Sequence, residues 1–182
     1  GQSVNFTATV SAKPPGAGTP TGTVTFNIDG NLYCINTPLN GSQQAVCTQA
    51  GLPALGAGVR NVVALYNGDG NFNGSAGTVN QTVNKANSRT VVATSGSPAN
   101  VGTTVTFRAT VTAVAPGAGV PTGTVQFRID GVNVGGTRTL IAGQATYPTS
   151  TMTVGLHTVS AVYNGDGNFN VSTSANINQR IR

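Results

Sequence analysis

The chain has 182 residues, 7% of them charged, with nine Lys or Arg, four acidic residues, one His and a formal net charge of +5. That length holds one large domain or two of about ninety residues. Sparse charge without a single Glu excludes coiled coils and long helices. No apolar run approaches the roughly eighteen residues of a membrane-spanning helix, which argues against membrane insertion. The basic residues are scattered singly, which argues against a nucleic-acid surface.

In chain order, the opening segment Gln2-Ser3-Val4-Asn5-Phe6-Thr7-Ala8-Thr9-Val10 alternates apolar and polar residues, the period of a half-buried strand. Pro15-Gly16-Ala17-Gly18 follows as a loop, since no helix succeeds it and no P-loop Lys is present. Val24, Phe26 and Ile28 then alternate with polar residues up to Asp29-Gly30, where Asp and Gly tolerate a hairpin turn. A further strand runs to Tyr66 and the loop Asn67-Gly68-Asp69-Gly70-Asn71-Phe72. Residues 84–88 are a short connection, so short that a stiff, rod-like tandem is expected. Beyond it the same elements return: Val105-Thr106-Phe107, Pro116-Gly117-Ala118-Gly119 and Asp130-Gly131, then Tyr163-Asn164-Gly165-Asp166-Gly167-Asn168-Phe169. The offset is 101 up to Asp130-Gly131 and 97 at the last motif, so the first copy holds four extra residues between them. Two copies of one module therefore make up the chain, residues 1–86 and 87–182. The β-branched excess, with turn residues every eight to twelve positions, predicts an antiparallel sandwich of about seven strands per copy.

The succession Val-Thr-Phe, Pro-Thr-Gly-Thr-Val-x-Phe, Asp-Gly and Tyr-x-Gly-Asp-x-Asn-Phe resembles the bacterial immunoglobulin-like repeat domains of group 3, over nearly all of both copies. The resemblance implies an all-β architecture of two tandem immunoglobulin-like sandwiches. It further implies a spacer, stalk or adhesive module of secreted or surface-anchored bacterial proteins, with no catalytic residues to carry over. Cys34 and Cys47 depart from the repeat, their counterparts in the second copy being Gly135 and, approximately, Tyr147.

The two cysteines lie symmetrically about Asn40-Gly41, a strong type I′ hairpin pattern. Counting outward brings Cys34 opposite Cys47 at a non-hydrogen-bonded site, where Cα atoms approach to about 4.5 Å. A disulfide is expected, and with it an oxidising, extracytoplasmic location. Two unpaired thiols are the alternative; a metal site falls short of four ligands.

All four carboxylates, Asp29, Asp69, Asp130 and Asp166, sit inside repeated motifs, which favours structural over acid–base work. Asn67, Asp69 and Asn71, with their repeat Asn164, Asp166 and Asn168, alternate oxygen-bearing side chains like the start of a calcium loop. Phe follows where a helical calcium loop has Gly, and no Glu closes it. The expectation is a structured loop in which Asp binds backbone amides and Phe72 or Phe169 plugs the sandwich end, with calcium the weaker reading and no other cofactor. His157 matches Arg60 and reads as a structural residue at the core rim. No Gly-x-Ser-x-Gly elbow occurs, so an enzyme is not expected.

About fifteen residues precede Gly102, including the strand-like Thr90-Val91-Val92-Ala93, whereas the first copy starts at the equivalent Gly1. The first sandwich is therefore expected to lack its opening strand. Either the chain is a piece of a longer tandem protein, or a neighbouring subunit donates a strand to the open edge and builds a filament. The function expected is that of a non-enzymatic extracellular structural or adhesive module whose partners are neighbouring copies of the same protein. A carbohydrate-binding or spacer appendage of a secreted polysaccharide-active enzyme is the alternative, disfavoured by the absence of Trp.

Overall fold

The structure is a computed structural model that describes residues 2–48, 52 and 54–182. The chain divides into two compact units, Gln2–Asn84 and Lys85–Arg182. Lys85 and Ala86 are bound into the second unit. Ala86 N–H donates to the Asn168 carbonyl (2.8 Å), the Ala86 carbonyl accepts from Asn170 N–H (2.8 Å), and Lys85 Nζ donates to the Asp166 carbonyl (2.5 Å).

The described residues of the first unit form six strands: β1 Phe6–Thr9, β2 Thr23–Ile28, β3 Asn31–Pro38, β4 Gln44–Cys47, β5 Gly58–Tyr66 and β6 Ser75–Val83. One antiparallel sheet runs β3-β2-β5-β6 and the other is the pair β1-β4. Alternation is the cause: Val24, Phe26 and Ile28 on β2 and Val62 and Tyr66 on β5 point into a core closed from the other side by Phe6, Ala45 and Cys47. The β2–β3 turn is Asp29-Gly30, both residues at positive φ (50° and 88°), as a two-residue type I′ turn requires.

The second unit has eight strands: β7 Ser88–Thr94, β8 Val105–Ala113, β9 Thr124–Ile129, β10 Val132–Thr139, β11 Gln144–Thr149, β12 Gly155–Tyr163, β13 Ser172–Thr173 and β14 Ile177–Ile181. The order β10-β9-β12, with β13 and β14 both paired to β12, repeats the larger sheet, β13 and β14 standing where the first unit has the single β6. The facing sheet is β11-β8-β7, one strand wider than β1-β4. Phe107, Ala109, Val125, Phe127, Val159, Ala161 and Tyr163 are wholly buried between the layers.

The expected hairpin between the cysteines does not form. β3 pairs with β2 and β4 with β1, so the chain leaves one sheet and enters the other at Asn40-Gly41, and Pro38 stands opposite Thr23 of β2. The turn is also of another kind, since positive φ falls on Gln43 (55°) and not on Asn40 or Gly41. Asn40 N–H donates to the Gln44 carbonyl (2.8 Å), and Asn40 Oδ1 accepts from the amides of Ser42 (2.9 Å) and Gln44 (3.0 Å). Asn thus acts here through its side chain, an Asx arrangement, rather than through a left-handed backbone. The disulfide Cys34–Cys47 is present with Cα atoms 5.6 Å apart, but it joins the two sheets. Cys34 reaches across because β3 bulges there: Cys34 and Asn36 adopt positive φ (45° and 55°) where the register shifts against β2.

Candidate functional site

The repeated loops are built around their aspartates. Asp69 Oδ2 accepts from Thr21 N–H and Oγ1–H (both 2.7 Å), and Oδ1 accepts from the amides of Asn71 (2.7 Å) and Phe72 (2.8 Å). Asp166 does the same with Thr122 N–H (2.8 Å) and Oγ1–H (2.7 Å) and with the amides of Asn168 (2.7 Å) and Phe169 (2.8 Å). The Asn71 and Thr21 donors, with Phe72, hold Asp69 well below the usual carboxylate range. Burial pushes Asp166 the other way, but the Thr122, Asn168 and Phe169 donors outweigh it and its pKa falls too.

Each carboxylate oxygen therefore faces two hydrogens, the wrong polarity for a cation. Asn67 Nδ2 turns out of the loop to Thr23 Oγ1 (2.8 Å) and Asn36 Oδ1 (3.1 Å), and Asn164 Nδ2 turns to Thr124 Oγ1 (2.9 Å). Phe169 is buried in the second core, with Gly119 3.7 Å from its ring when given a Cβ; Phe72 packs at the first core, 3.4 Å from such a Cβ on Gly18. Among the described residues no three His, Cys, Asp or Glu side chains come together.

At the other end, each Asp-Gly turn is clamped to the strand on the far side of β2 or β9, β5 in the first unit and β12 in the second, by a basic side chain. In the first unit Asp29 Oδ1 accepts from Asn61 N–H (2.9 Å) and Oδ2 from Arg60 Nη1 (3.2 Å). Arg60 also donates to the Gly56 and Ala57 carbonyls. In the second, Asp130 Oδ1 accepts from Thr158 N–H (2.8 Å), while His157 Nδ1 lies 2.7 Å from Asp130 Oδ2 and Nε2 lies 2.9 Å from the Thr153 carbonyl. Both ring nitrogens face acceptors, an arrangement that the protonated ring satisfies at both ends, and in that form the imidazolium stands in for Arg60. The Asp130 carboxylate and the Thr153 carbonyl raise the His157 pKa, and His157 in turn holds Asp130 low.

The Cys34–Cys47 bridge has a non-covalent counterpart. Phe6 stands opposite Cys47 in the β1–β4 ladder, as Phe107 stands opposite Tyr147 in β8–β11. A Cβ on Gly135, the counterpart of Cys34, would sit 2.2 Å from the Tyr147 ring. Tyr147 thus fills with its ring the gap that two sulfurs span in the first unit, stacking on Phe127 (5.9 Å) beneath the Arg138 guanidinium (5.5 Å).

The largest difference between the copies lies at the edge of the smaller sheet. In the second unit β7 pairs with β8 from Ser88↔Ala113 to Thr94↔Phe107, turns Thr90 and Val92 inward and covers β12, β13 and β14. Its side chains are held by name. Thr94 Oγ1 donates to Gln179 Oε1 (2.6 Å), Gln179 Nε2 donates to the Gly96 carbonyl (3.0 Å), and the hydroxyls of Ser88 and Thr90 each lie 2.7 Å from Ser172 Oγ. Gln179 is fully buried by this arrangement.

In the first unit, among the described residues, β1 has only β4 beside it, and a groove of about 420 Å³ opens between β1, β5 and β6. It is lined by Phe6, Ala8, Val10, Ala64, Tyr66 and Val79 among others. β6 pairs with β5 through Val62↔Val79 as β14 pairs with β12 through Val159↔Ile177, so Val79 faces inward yet is 57% exposed. Val10 N–H donates back to the Gln43 carbonyl (3.0 Å), which by alternation turns the main-chain groups of Thr7 and Thr9 toward the groove. The Gln179 and Ser172 counterparts are Gln81 and Ser75: Arg60↔Gln81 matches His157↔Gln179, and Tyr66↔Ser75 matches Tyr163↔Ser172. Reasoning from sequence missed both residues, although the repeated Asn80-Gln81 and Asn178-Gln179 would have pointed to one of them.

The model of the bacterial Ig-like domain (group 3) matches residues 1–84 and again residues 92–182. The chain belongs to the bacterial Ig-like group 3 domains. No curated protein matches the sequence. Among solved structures, fibronectin(III)-like modules of Clostridium thermocellum CbhA are 19% identical with a TM-score of 0.37, covering 100% of this chain and 85% of theirs. The D0-D1 domain of intimin is also 19% identical, with a TM-score of 0.36 and coverage of 98% and 90%. The two group 3 sandwiches of this chain differ chiefly along β1 and β6 of the first and β7 of the second.

Proposed function

We propose that the chain is a non-enzymatic structural or adhesive module of a bacterial surface or secreted repeat protein, working outside the cytoplasm and joined to neighbouring copies through the open edge of its first sandwich. The observation that carries this reading is the match of both copies to the bacterial Ig-like group 3 domain. An uncovered edge is a template for another strand, and repeated head-to-tail donation extends without closing.

Three features support the rest. A disulfide favours an oxidising compartment. Every aspartate serves a turn or a loop rather than a cleft. Tyr66 and Tyr163 are buried and Tyr147 is packed between Phe127 and Arg138, which leaves little of the exposed aromatic platform that sugar binding uses. Imaging of the native material combined with hydrogen exchange tests the reading. Filaments are expected, as is rapid amide exchange at Thr7, Thr9 and along β6 in the isolated chain. A stable monomer whose first unit is as fully protected as the second would defeat it.

A further inference from the structure

All four carboxylate side chains are engaged by the chain's own turns and loops, Asp29 and Asp130 at the two-residue turns and Asp69 and Asp166 in the repeated loops. Among the described residues only Arg60 and His157 pair with one, and the other basic side chains make no ion pair. One of these, Arg108, stands in a cleft. On the outward face of β7, β8 and β11, Ala93, Arg108 and Thr146 lie side by side in one row across the three strands. A shallow cleft of about 330 Å³ opens there, lined by Ala93, Thr94, Ser95, Thr106, Arg108 and Thr146. Ala93 brings only a methyl group to the row. The Arg108 side chain is exposed, and its guanidinium hydrogen-bonds no other group among the described residues. The hydroxyls of Thr106 and Thr146 are free in the same sense, while Ser95 Oγ accepts from Thr106 N–H (3.0 Å) and keeps its own hydrogen to donate. The cleft thus presents a guanidinium fork and three hydroxyls, with no carboxylate to neutralise them.

The same face carries a second cation. Arg89 points outward like Ala93, four residues away on β7 and so about 13 Å along the strand from the Arg108 row, with the exposed Val91 between them. Thr110 and Gln144 stand beside Val91, and Thr112 beside Arg89. This strip belongs to the second copy and is not demanded by the fold. Where β8 and β11 pair Arg108 with Thr146, β1 and β4 pair Thr7 with Val46.

We propose that the outward face of β7, β8 and β11 binds an acidic polysaccharide, one uronate carboxylate pairing with Arg108 in the cleft and another, further along the polymer, with Arg89. A guanidinium meets a carboxylate through two parallel hydrogen bonds, which fixes orientation as well as supplying energy. The flanking hydroxyls and the Gln144 amide suit a hydroxyl-bearing chain, and Val91 suits the apolar face of a sugar ring. Charge takes the place of the aromatic platform that neutral sugars need. The strip has no aromatic side chain on which bases could stack, which favours a polysaccharide over a single-stranded nucleic acid. The inference stands apart from strand donation, because every residue of the site lies in the second sandwich and none depends on the edge of the first.

The probe is polygalacturonate titrated into the whole chain, with dextran as the neutral control and single-stranded DNA as the anionic one. Calorimetry should show saturable binding of polygalacturonate that weakens as salt is raised. Amide resonances of Val91, Ala93, Arg108 and Thr146 should shift, with no change in the first unit. Arg108→Thr and Thr146→Val copy Thr7 and Val46, residues that the same fold already carries at those positions, so both variants should melt as the parent chain does. Arg108→Thr should bind roughly tenfold more weakly, the worth of a charge-assisted hydrogen-bonded pair, and Arg89→Ala by a smaller factor because its contact lies outside the cleft. Binding of dextran as tight as that of polygalacturonate, or undiminished binding by Arg108→Thr, overturns the site. Tighter binding of DNA than of polygalacturonate overturns the polysaccharide as its occupant, and no binding of polygalacturonate at low salt defeats the proposal outright.

Discussion

The two sandwiches are one fold with different closures, and the differences separate what the fold requires from what it tolerates. Phe107, Ala109 and Val111 are buried under β7, while their equivalents Phe6, Ala8 and Val10 stay partly open to the groove; Phe6 retains 8% exposure against 0% for Phe107. The larger sheet keeps its register in both units, so covering β6 or β14 is not needed to form the β5–β6 or β12–β14 ladder. Both units carry cross-sheet support at the same place, with different chemistry: a disulfide in one copy, a tyrosine against a glycine in the other.

The sharpest way to break the comparison is to place one charge at the same register position of each copy. Ile177→Asp puts a carboxylate against the closed core and should destabilise the second unit by about 2 kcal/mol or more. Val79→Asp points into open groove and should change the first unit by less than about 0.5 kcal/mol. Denaturant unfolding followed by residue-resolved hydrogen exchange reads both. Similar losses in the two units would mean that the groove is closed in solution.

Next in size is the cross-sheet support. Reducing Cys34–Cys47 frees a loop whose closure is worth on the order of 3 kcal/mol, so a thermal melt in reductant should lower the first transition and leave the second in place. The reciprocal variant, Gly135→Cys with Tyr147→Cys, should lose its free thiols on oxidation and make the second unit resemble the first. Gly135→Ala alone should destabilise, because its Cβ would meet the Tyr147 ring and its φ of 65° disfavours a side chain.

Acid should affect the units alike. Asp69 and Asp166 are held below the unfolded carboxylate range, near pH 3.9, so their stabilisation is present above that pH and is lost as pH falls through it toward the lower folded values. Asp166→Asn keeps two acceptor positions at most and should blunt the acid sensitivity of the second unit, measured as the slope of melting temperature against pH.

The smallest effect is the most selective. His157 has a raised pKa, so its clamp on Asp130 is fully present below the unfolded value of about 6.5 and is lost as pH rises through the higher folded value. Asp130, held low by His157, loses its share only as pH falls below about 3.9. The second unit alone should therefore soften slightly on going from pH 6 to pH 9, by less than about 1 kcal/mol because the Asp130 side chain is half exposed. His157→Arg, copying Arg60, should remove that slope; a slope that persists would place its origin elsewhere.

Much of this was legible in the residues. Asp29-Gly30 and Asp130-Gly131 announced two-residue turns because few other pairs accept positive φ twice in succession. The loop aspartates were readable as amide binders, since a short acidic side chain two and three residues ahead of free N–H groups finds them locally. The cysteine pairing was anticipated but its route was not. Asn40-Gly41 has hairpin chemistry, and nothing in a period-two pattern says whether the strands leaving a turn stay in one sheet or part into two.

The duplicated alternation by itself determined two β modules, their inward faces and their turns, because all of these depend on spacing and on local backbone preference. Only the tertiary structure decided that Cys34 and Cys47 bind sheet to sheet, that Tyr147 occupies the same gap in the second unit, and that Ser75 and Val79 line a groove. Those relations join residues far apart in sequence through the packing of one layer on another, and a layer's partner is chosen by the whole of its buried face rather than by any segment of it.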